Sequence, residues 1–354
     1  MKLGQQVAAS PIPRSRNVAA DQASYGKLVP GDTLDGRFLL GEVISRGGMA
    51  VVFRAEDLQN QCQPVAVKVP HGMFASGNGA WSRFQREEEF GCKLSHPCIL
   101  RFVPVAGKNR GAYIVTEYLR GQTLADRLAT GAPLTEAEAL HIARRICEAV
   151  QYMHEQRVVH YDLKPGNVML CADGSIRLID LGLAQPVETR RFGLRSTPPA
   201  MGTMEYVSPE QIRRKPGRTS ADIYAVGGIL YKMLTGTVPF SGDDPFAIGS
   251  VRLTGDPVAP RKLNPDISPQ AEEIVLRALQ RDPARRYPTA AAMKADLDAP
   301  ETVRVTGLCD SLQESTRWRR FLLLARWIAV VCILPLVIQI LLFLFLWHHY
   351  GGKR

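Results

Sequence analysis

Residues 158–167 read VVHYDLKPGN and place His160, Asp162, Lys164 and Asn167 at short fixed offsets between apolar runs. A carboxylate and an amide five positions apart on a tight loop can aim one oxygen at a substrate hydroxyl and another at a metal ion. Thirteen residues beyond Asn167, the apolar run IRLI ends in Asp180, a second carboxylate suited to chelating metal. Upstream, Lys68 lies in VAVKV, Glu87 follows in a helical pattern, and Gly47 and Gly48 join two strand-like segments. Phosphoryl transfer asks for these parts: phosphates cradled, a metal held and a nucleophile positioned. Asp162 would orient a hydroxyl and accept its proton, and Lys164 would offset the charge of the transferring group. Asn167 and Asp180 would hold the metal, Lys68 would meet the phosphates, and Glu87 would steady Lys68. Each part alone has a plainer reading. A glycine pair between strands is commonly a hairpin, an aspartate before a glycine is a common turn, and Glu87–Glu89 suits a solvated helix face. The weight lies in all of them occurring in this order.

The elements around these residues follow from periodicity. Residues 37–45, 50–57 and 64–70 read as strands, with the glycines between the first two, and residues 112–119 as a further strand. Phe84, Phe90 and Leu94 have helical spacing in the segment carrying Glu87. From residue 134 the pattern turns helical, opening on Thr135 and Glu138 at capping-box spacing. Helical patterns recur over residues 220–236 and 268–283. A small strand-rich lobe followed by a larger helical one is the expected α+β architecture. It occupies residues 37–298, after a polar tail over 1–36 that is expected to be mobile.

The net charge of +10 has no dense basic run with interleaved aromatics behind it, so no nucleic-acid partner is expected. The seven cysteines show no zinc or redox spacing and fit reduced thiols. Residues 299–326 read as a polar linker turning basic at RWRR. Residues 327–347 then run without charge between Trp327 and Trp347. At helical rise this stretch spans about 31 Å, the thickness of a bilayer's hydrocarbon, and the terminal indoles suit its interfaces. A single membrane span with a short tail over 348–354 is expected. The arginines before it favour an inward-facing catalytic domain.

Residues 37–298 resemble the eukaryotic-like protein Ser/Thr kinases, especially the bacterial membrane-anchored branch. ISRGGMAVVF is similar to that branch's glycine-rich loop, FQRE to its third-helix segment, DLKPGN to its catalytic loop and GTMEYVSPEQ to the end of its activation segment. The resemblance implies a bilobal protein-kinase fold and transfer of the γ-phosphate of ATP to protein Ser or Thr hydroxyls, with Mg2+ or Mn2+. It places Ile44, Ser45, Gly47, Gly48, Ala50 and Val52 above the nucleotide, with Ala66, Lys68 and Glu87 beside it. The backbone of Glu117 and Leu119 would meet adenine, and Thr116 would close the rear. Asp162 and Lys164 would be catalytic, and Asn167 and Asp180 metal-binding. Ser196 and Thr197 would be phosphoacceptors in the activation segment. Thr203 would contact the catalytic loop, Glu210 would pair with Arg286, and His160 and Asp222 would support the loop. Implied partners are ATP, protein substrates, membrane lipid and a second copy for trans-autophosphorylation. The implied place is the cytoplasmic face of a bacterial inner membrane.

The chain departs from the family pattern at Ser45 and Ala50, where glycines are usual, at Leu181 in place of phenylalanine, and at Tyr161 in place of arginine. Ser45, Ala50 and Tyr161 are the support for a pseudokinase scaffold as the alternative, Leu181 being an apolar swap that can still pack, and the His-x-Asp loop alone admits a small-molecule kinase. Tyr161 cannot supply the cation that commonly receives an activation-segment phosphate. A working loop without that phospho-switch is expected.

Overall fold

The computed structural model describes residues 17–18, 28–47, 50–70, 79–105, 113–187, 204–215, 218–312 and 339. A six-stranded sheet forms the small lobe, in the order β1 (Asn17–Val18), β2 (Thr33–Leu34), β3 (Phe38–Arg46), β4 (Ala50–Asp57), β5 (Gln63–Pro70) and β6 (Ile114–Glu117). Its long strands alternate, so Phe38, Leu40, Phe53, Ala55, Val65 and Val67 turn to one buried face. The register pairs Val52 with Lys68 and Lys68 with Ile114. This sets the Lys68 side chain on the sheet face opposite its buried valine neighbours. Helix α1 (Gly79–Lys93) packs beside the sheet through Phe84 and Phe90.

Beyond β6, a short strand β7 (Gly121–Thr123) leads into α2 (Leu124–Arg127) and the long α3 (Glu136–Glu155). Thr135 caps α3 by accepting from the Glu138 N–H at 3.3 Å. Ala139, Ile142, Ala143, Ile146, Val150 and Met153 recur at three- and four-residue intervals and bury one stripe of α3. Next come β8 (Val158–Val159), β9 (Val168–Cys171), β10 (Ile176–Leu178) and β11 (Gln185–Pro186). They pair as a β10-β9-β7 sheet and a β11-β8 ribbon that bracket the catalytic-loop sequence.

The rest is helical: α4 (Pro209–Ile212), α5 (Thr219–Thr235), α6 (Pro245–Thr254), α7 (Pro260–Leu263), α8 (Pro269–Ala278) and α9 (Ala290–Asp298). Helix α5 is buried without a break from Ala221 to Tyr231, the central post of the large lobe. At Gly227 an added Cβ would lie 2.7 Å from the Ala278 Cβ, so glycine lets α5 and α8 approach closely. The architecture is the α+β bilobal one expected from the sequence.

Two segments outside residues 37–298 also contact the fold. In residues 28–36, Leu34 lies in the small-lobe core and the Tyr113 hydroxyl donates to Asp35 at 2.6 Å. The expected linker likewise begins on the fold. Thr306 donates to the buried Glu273 carboxylate, and the Leu308 N–H reaches its second oxygen at 3.4 Å. Residues 28–36 join the sheet locally, through the pairing of Leu34 with Phe38, as well as through the distant Tyr113. All six described cysteines are free. Among the described residues no helix is long and apolar enough to cross a membrane. Apart from Gln339, the 327–347 run lies outside them, as do Gly48, Ser196, Thr197 and Thr203.

Candidate active site

The loop between β8 and β9 is shaped by hydrogen bonds to its own side chains and to α5. Asp222, near the start of α5, accepts from the His160 N–H and the Tyr161 N–H at 2.9 Å each. His154, in the last turn of α3, meets the same carboxylate at 2.9 Å. Burial alone would raise the Asp222 pKa, but these donors and the nearby histidines hold it below the usual carboxylate range. A buried anion thus anchors two successive loop amides, and Tyr161 is held at φ 63°, in the left-handed region.

The loop then aims its functional groups inward. Lys164 Nζ donates to Asp162 Oδ2 at 2.7 Å. Asn167 Nδ2 donates to the Asp162 carbonyl at 2.8 Å and to Oδ2 at 3.2 Å. This spends the amide's donors on Asp162 and leaves Asn167 Oδ1 without a donor among the described residues. The Ile179 N–H donates to the Asn167 carbonyl at 2.9 Å, which ties the loop to the strand carrying Asp180.

Asp180 adopts φ 78°, a conformation that aspartate tolerates better than most residues. Its Oδ1 accepts from the Gly182 N–H at 2.9 Å. Burial would raise its pKa, yet Lys68, the Gly182 N–H, His160 and Lys164 together hold it below the ordinary carboxylate value. It is therefore an anion at neutral pH. Among the described residues no three His, Cys, Asp or Glu side chains form a self-sufficient metal site. The Asn167 amide oxygen and the Asp180 carboxylate instead fit a hard divalent ion whose other ligands are waters and phosphate oxygens.

From the small lobe, Lys68 Nζ meets Glu87 Oε1 and Oε2 at 2.7 and 2.6 Å. Glu87 is buried, unlike the solvated face that the three successive glutamates suggest. Burial pushes its carboxyl up to about 7, with Lys68 opposing and Asp180 adding to the rise. For Lys68, burial works against the charge, but Glu87 and Asp180 outweigh it and hold the ammonium above its ordinary value. The described part of the glycine turn closes by a Gly47 N–H donating to the Ala50 carbonyl at 3.0 Å. Ser45 pairs with Val52, and Ile44 projects half-exposed beyond the sheet. On β6, Thr116 is buried, pairs with Ala66, and donates to the Glu117 carbonyl at 3.2 Å. The Glu117 N–H is engaged by the Arg101 carbonyl, whereas no described residue accepts the Leu119 N–H. A free donor just past the last small-lobe strand can bind the edge of a planar heterocycle.

Residues 204–212 sit beside the loop. Glu210 and Arg286 form a two-point pair at 2.7 and 2.8 Å, fully enclosed. At the start of α4 the Ser208 N–H donates to Gln211 Oε1 at 3.0 Å, and Gln211 Nε2 donates to the Tyr161 carbonyl at 3.2 Å.

Comparison with known families matches residues 38–297 to the protein kinase domain. The chain belongs to the protein kinase family. The kinase domain is 36% identical over 268 residues to the serine/threonine-protein kinase PknB of Mycolicibacterium smegmatis, covering 75% of this chain and 43% of that one. PknB of Mycobacterium tuberculosis is 35% identical over 268 residues, with the same coverage. A probable serine/threonine-protein kinase of Streptomyces coelicolor is 36% identical over 275 residues, covering 75% and 40%. The chain thus spans less than half the length of these relatives.

Within the kinase domain, Leu181 is buried in the large-lobe core, so the apolar replacement packs. Tyr161 is buried against Val159, Ala221 and the half-buried Val187, and burial pushes its phenol up to about 12. The family's arginine position is thus filled by a neutral ring. Sequence reasoning did not single out His154, Gln211 or Arg252. Gln211 was readable from its spacing to Ser208, the capping-box pattern. His154 and Arg252 carry no such signal, because a polar residue on a helix reads as exposed.

Proposed function

We propose that the chain is an ATP-dependent protein Ser/Thr kinase. The observation that carries this reading is the convergence of Asp162, Lys164 and Asn167 on one loop, facing Asp180 and the Lys68–Glu87 pair. Asp162 accepts the proton of the acceptor hydroxyl through the oxygen that Lys164 and Asn167 orient. Lys68 holds nucleotide phosphates at a position set by Glu87. Lys164 offsets negative charge on the transferred group. Asn167 and Asp180 would hold Mg2+, or Mn2+ in its place, which would neutralise phosphate charge when bound. The Leu119 N–H and Glu117 carbonyl receive adenine. The bacterial relatives named as serine/threonine-protein kinases support a protein hydroxyl as acceptor.

The uncharged run over 327–347 supports a membrane anchor with the kinase domain on the cytoplasmic side, in contact with lipid and able to meet a second copy for trans-autophosphorylation. Transfer of label from γ-labelled ATP to a basic protein, with Asp162→Asn as the comparison, tests the activity. Equal incorporation by both proteins rejects it, and none from the wild type favours the scaffold reading. Protease added to spheroplasts tests the topology, which fails if the kinase domain is digested from outside.

A further inference from the structure

Arg252 of α6 has no exposed surface, although its helix flanks the large lobe. Its guanidinium lies over the rings of Phe240 and Tyr224, at 5.3 and 5.8 Å from their centroids. No carboxylate among the described residues pairs with it. Its two terminal nitrogens donate instead to three main-chain carbonyls of one short segment, Met204, Glu205 at 2.6 Å and Val207 at 2.6 Å, while its buried Nε has no partner among the described residues. The same segment drops Met204 and Val207 into a small apolar cluster with Ile248 of α6 and Ile212. A buried cation whose hydrogen bonds all go to one four-residue stretch fixes the height of that stretch.

The stretch is placed to matter for an incoming peptide. It runs directly into Ser208–Gln211, and Gln211 hydrogen-bonds the Tyr161 carbonyl, next to Asp162. A chain that presented a hydroxyl to Asp162 would pass beside the segment that Gln211 ties to the loop. On its other side the Glu210–Arg286 pair joins it to the lobe. We propose that Arg252 is a positioning residue for the acceptor peptide. It holds the main chain of 204–207 from below so that the peptide seats at the correct distance from the catalytic loop. Arginine suits the task because its planar fork reaches several carbonyls at once while its face stacks on rings. A lysine in its place reaches fewer of them.

This inference rests on the protein-kinase reading, and its test separates the two. Initial rates with a peptide substrate are measured for wild type, Arg252→Lys and Arg252→Met, varying peptide and ATP separately. The expected result is a peptide KM raised about tenfold or more in Arg252→Met, an intermediate rise in Arg252→Lys, and an ATP KM within about twofold of wild type. Leu297→Ala, a distant core truncation, serves as the control for lost stability and should leave the peptide KM unchanged. Amide hydrogen exchange is read in parallel, with faster exchange expected over 204–212 in Arg252→Lys and unchanged exchange over 160–167. An unchanged peptide KM, a parallel rise in both KM values, or unaltered exchange at 204–212 overturns the clamp. Where Arg252→Met does not fold, Arg252→Lys carries the same outcomes. A wild type that modifies no peptide overturns the kinase reading, while the exchange result still decides whether Arg252 orders the segment.

Discussion

Lys68 and Glu87 meet across a strand and a helix of the small lobe, and each has the other as its main electrostatic support. Asp222 in the large lobe instead serves three donors from two other segments, on a helix buried on every side. The first arrangement depends on where α1 lies, and α1 is seated by the Phe102 ring pressed onto Gly91. The second is set by the core itself. The protonation behaviour differs in the same sense. Glu87, pushed up to about 7, can take a proton if its partner leaves, whereas Asp222, held low, cannot do so at neutral pH. The Lys68–Glu87 pair therefore sits on a separable contact, and the support of the 160–167 loop is part of the folding core.

The sharpest separation comes from the groups that do chemistry. Asp162→Asn should lower turnover about 10²–10⁴-fold while the melting temperature stays near wild type, since the change keeps shape and surroundings. Lys68→Met and Asp180→Asn should also abolish autophosphorylation. For Lys68→Met the melting temperature should move little, because Glu87 neutralises itself by protonation. A large loss of stability in Lys68→Met would remove the contrast between the lobes.

Asp222→Asn should instead cost both activity and stability, about 1.5–3 kcal/mol for a weakened hydrogen bond to a charged acceptor. The pH dependence follows from the depressed carboxyl. Its contribution is fully present above the ordinary value of 3.8 and is lost as pH falls through the lower folded value. The stability gap between wild type and variant should therefore be constant from about pH 5 to 8 and narrow only at stronger acid. Denaturant titrations across that range check it, and a gap that closes already near neutrality would contradict the assignment.

A smaller effect is expected at Gly91→Ala. An added Cβ would lie 2.3–2.4 Å from the Phe102 ring, so ring or helix must shift. The expected cost is about 1–3 kcal/mol, with a rise in KM for ATP as Glu87 draws back from Lys68. Gly91→Ala with an unchanged KM would show that α1 is seated by something else. The smallest effect is expected for Ser196→Ala combined with Thr197→Ala, which should leave initial rates within a few-fold of wild type. The reason lies at Tyr161, buried among Val159, Ala221 and Val187 where a phosphate-binding cation would be needed. A hundredfold drop would mean that another cation receives the phosphate.

Much of the site was legible because its chemistry is local. His160, Asp162, Lys164 and Asn167 fall within one loop, and the hydrogen bonds among Asp162, Lys164 and Asn167 follow from that spacing. The alternating strands and the α3 stripe were readable for the same reason, since period two and period 3.6 are short-range properties. The Lys68–Glu87 pair was less so, because Glu87 belongs to a run of three glutamates and only the seating of α1 decides which one turns inward. The contacts that Asp35 and Thr306 make from outside residues 37–298 were not legible, because their partners lie far along the chain.

Local pattern thus settles the order of the elements and brings Asp162, Lys164 and Asn167 together on one loop. Packing between distant segments settles which polar side chains are withdrawn from water. Arg252 is the clearest case. In sequence it is one cation on a short helix, and nothing within ten residues explains its burial. Its partners are carbonyls more than forty residues earlier, and the rings of Phe240 and Tyr224 that cover it come from elsewhere in the large lobe. A buried guanidinium is stable only when its lost hydration is replaced, and that replacement exists only once the lobe has assembled.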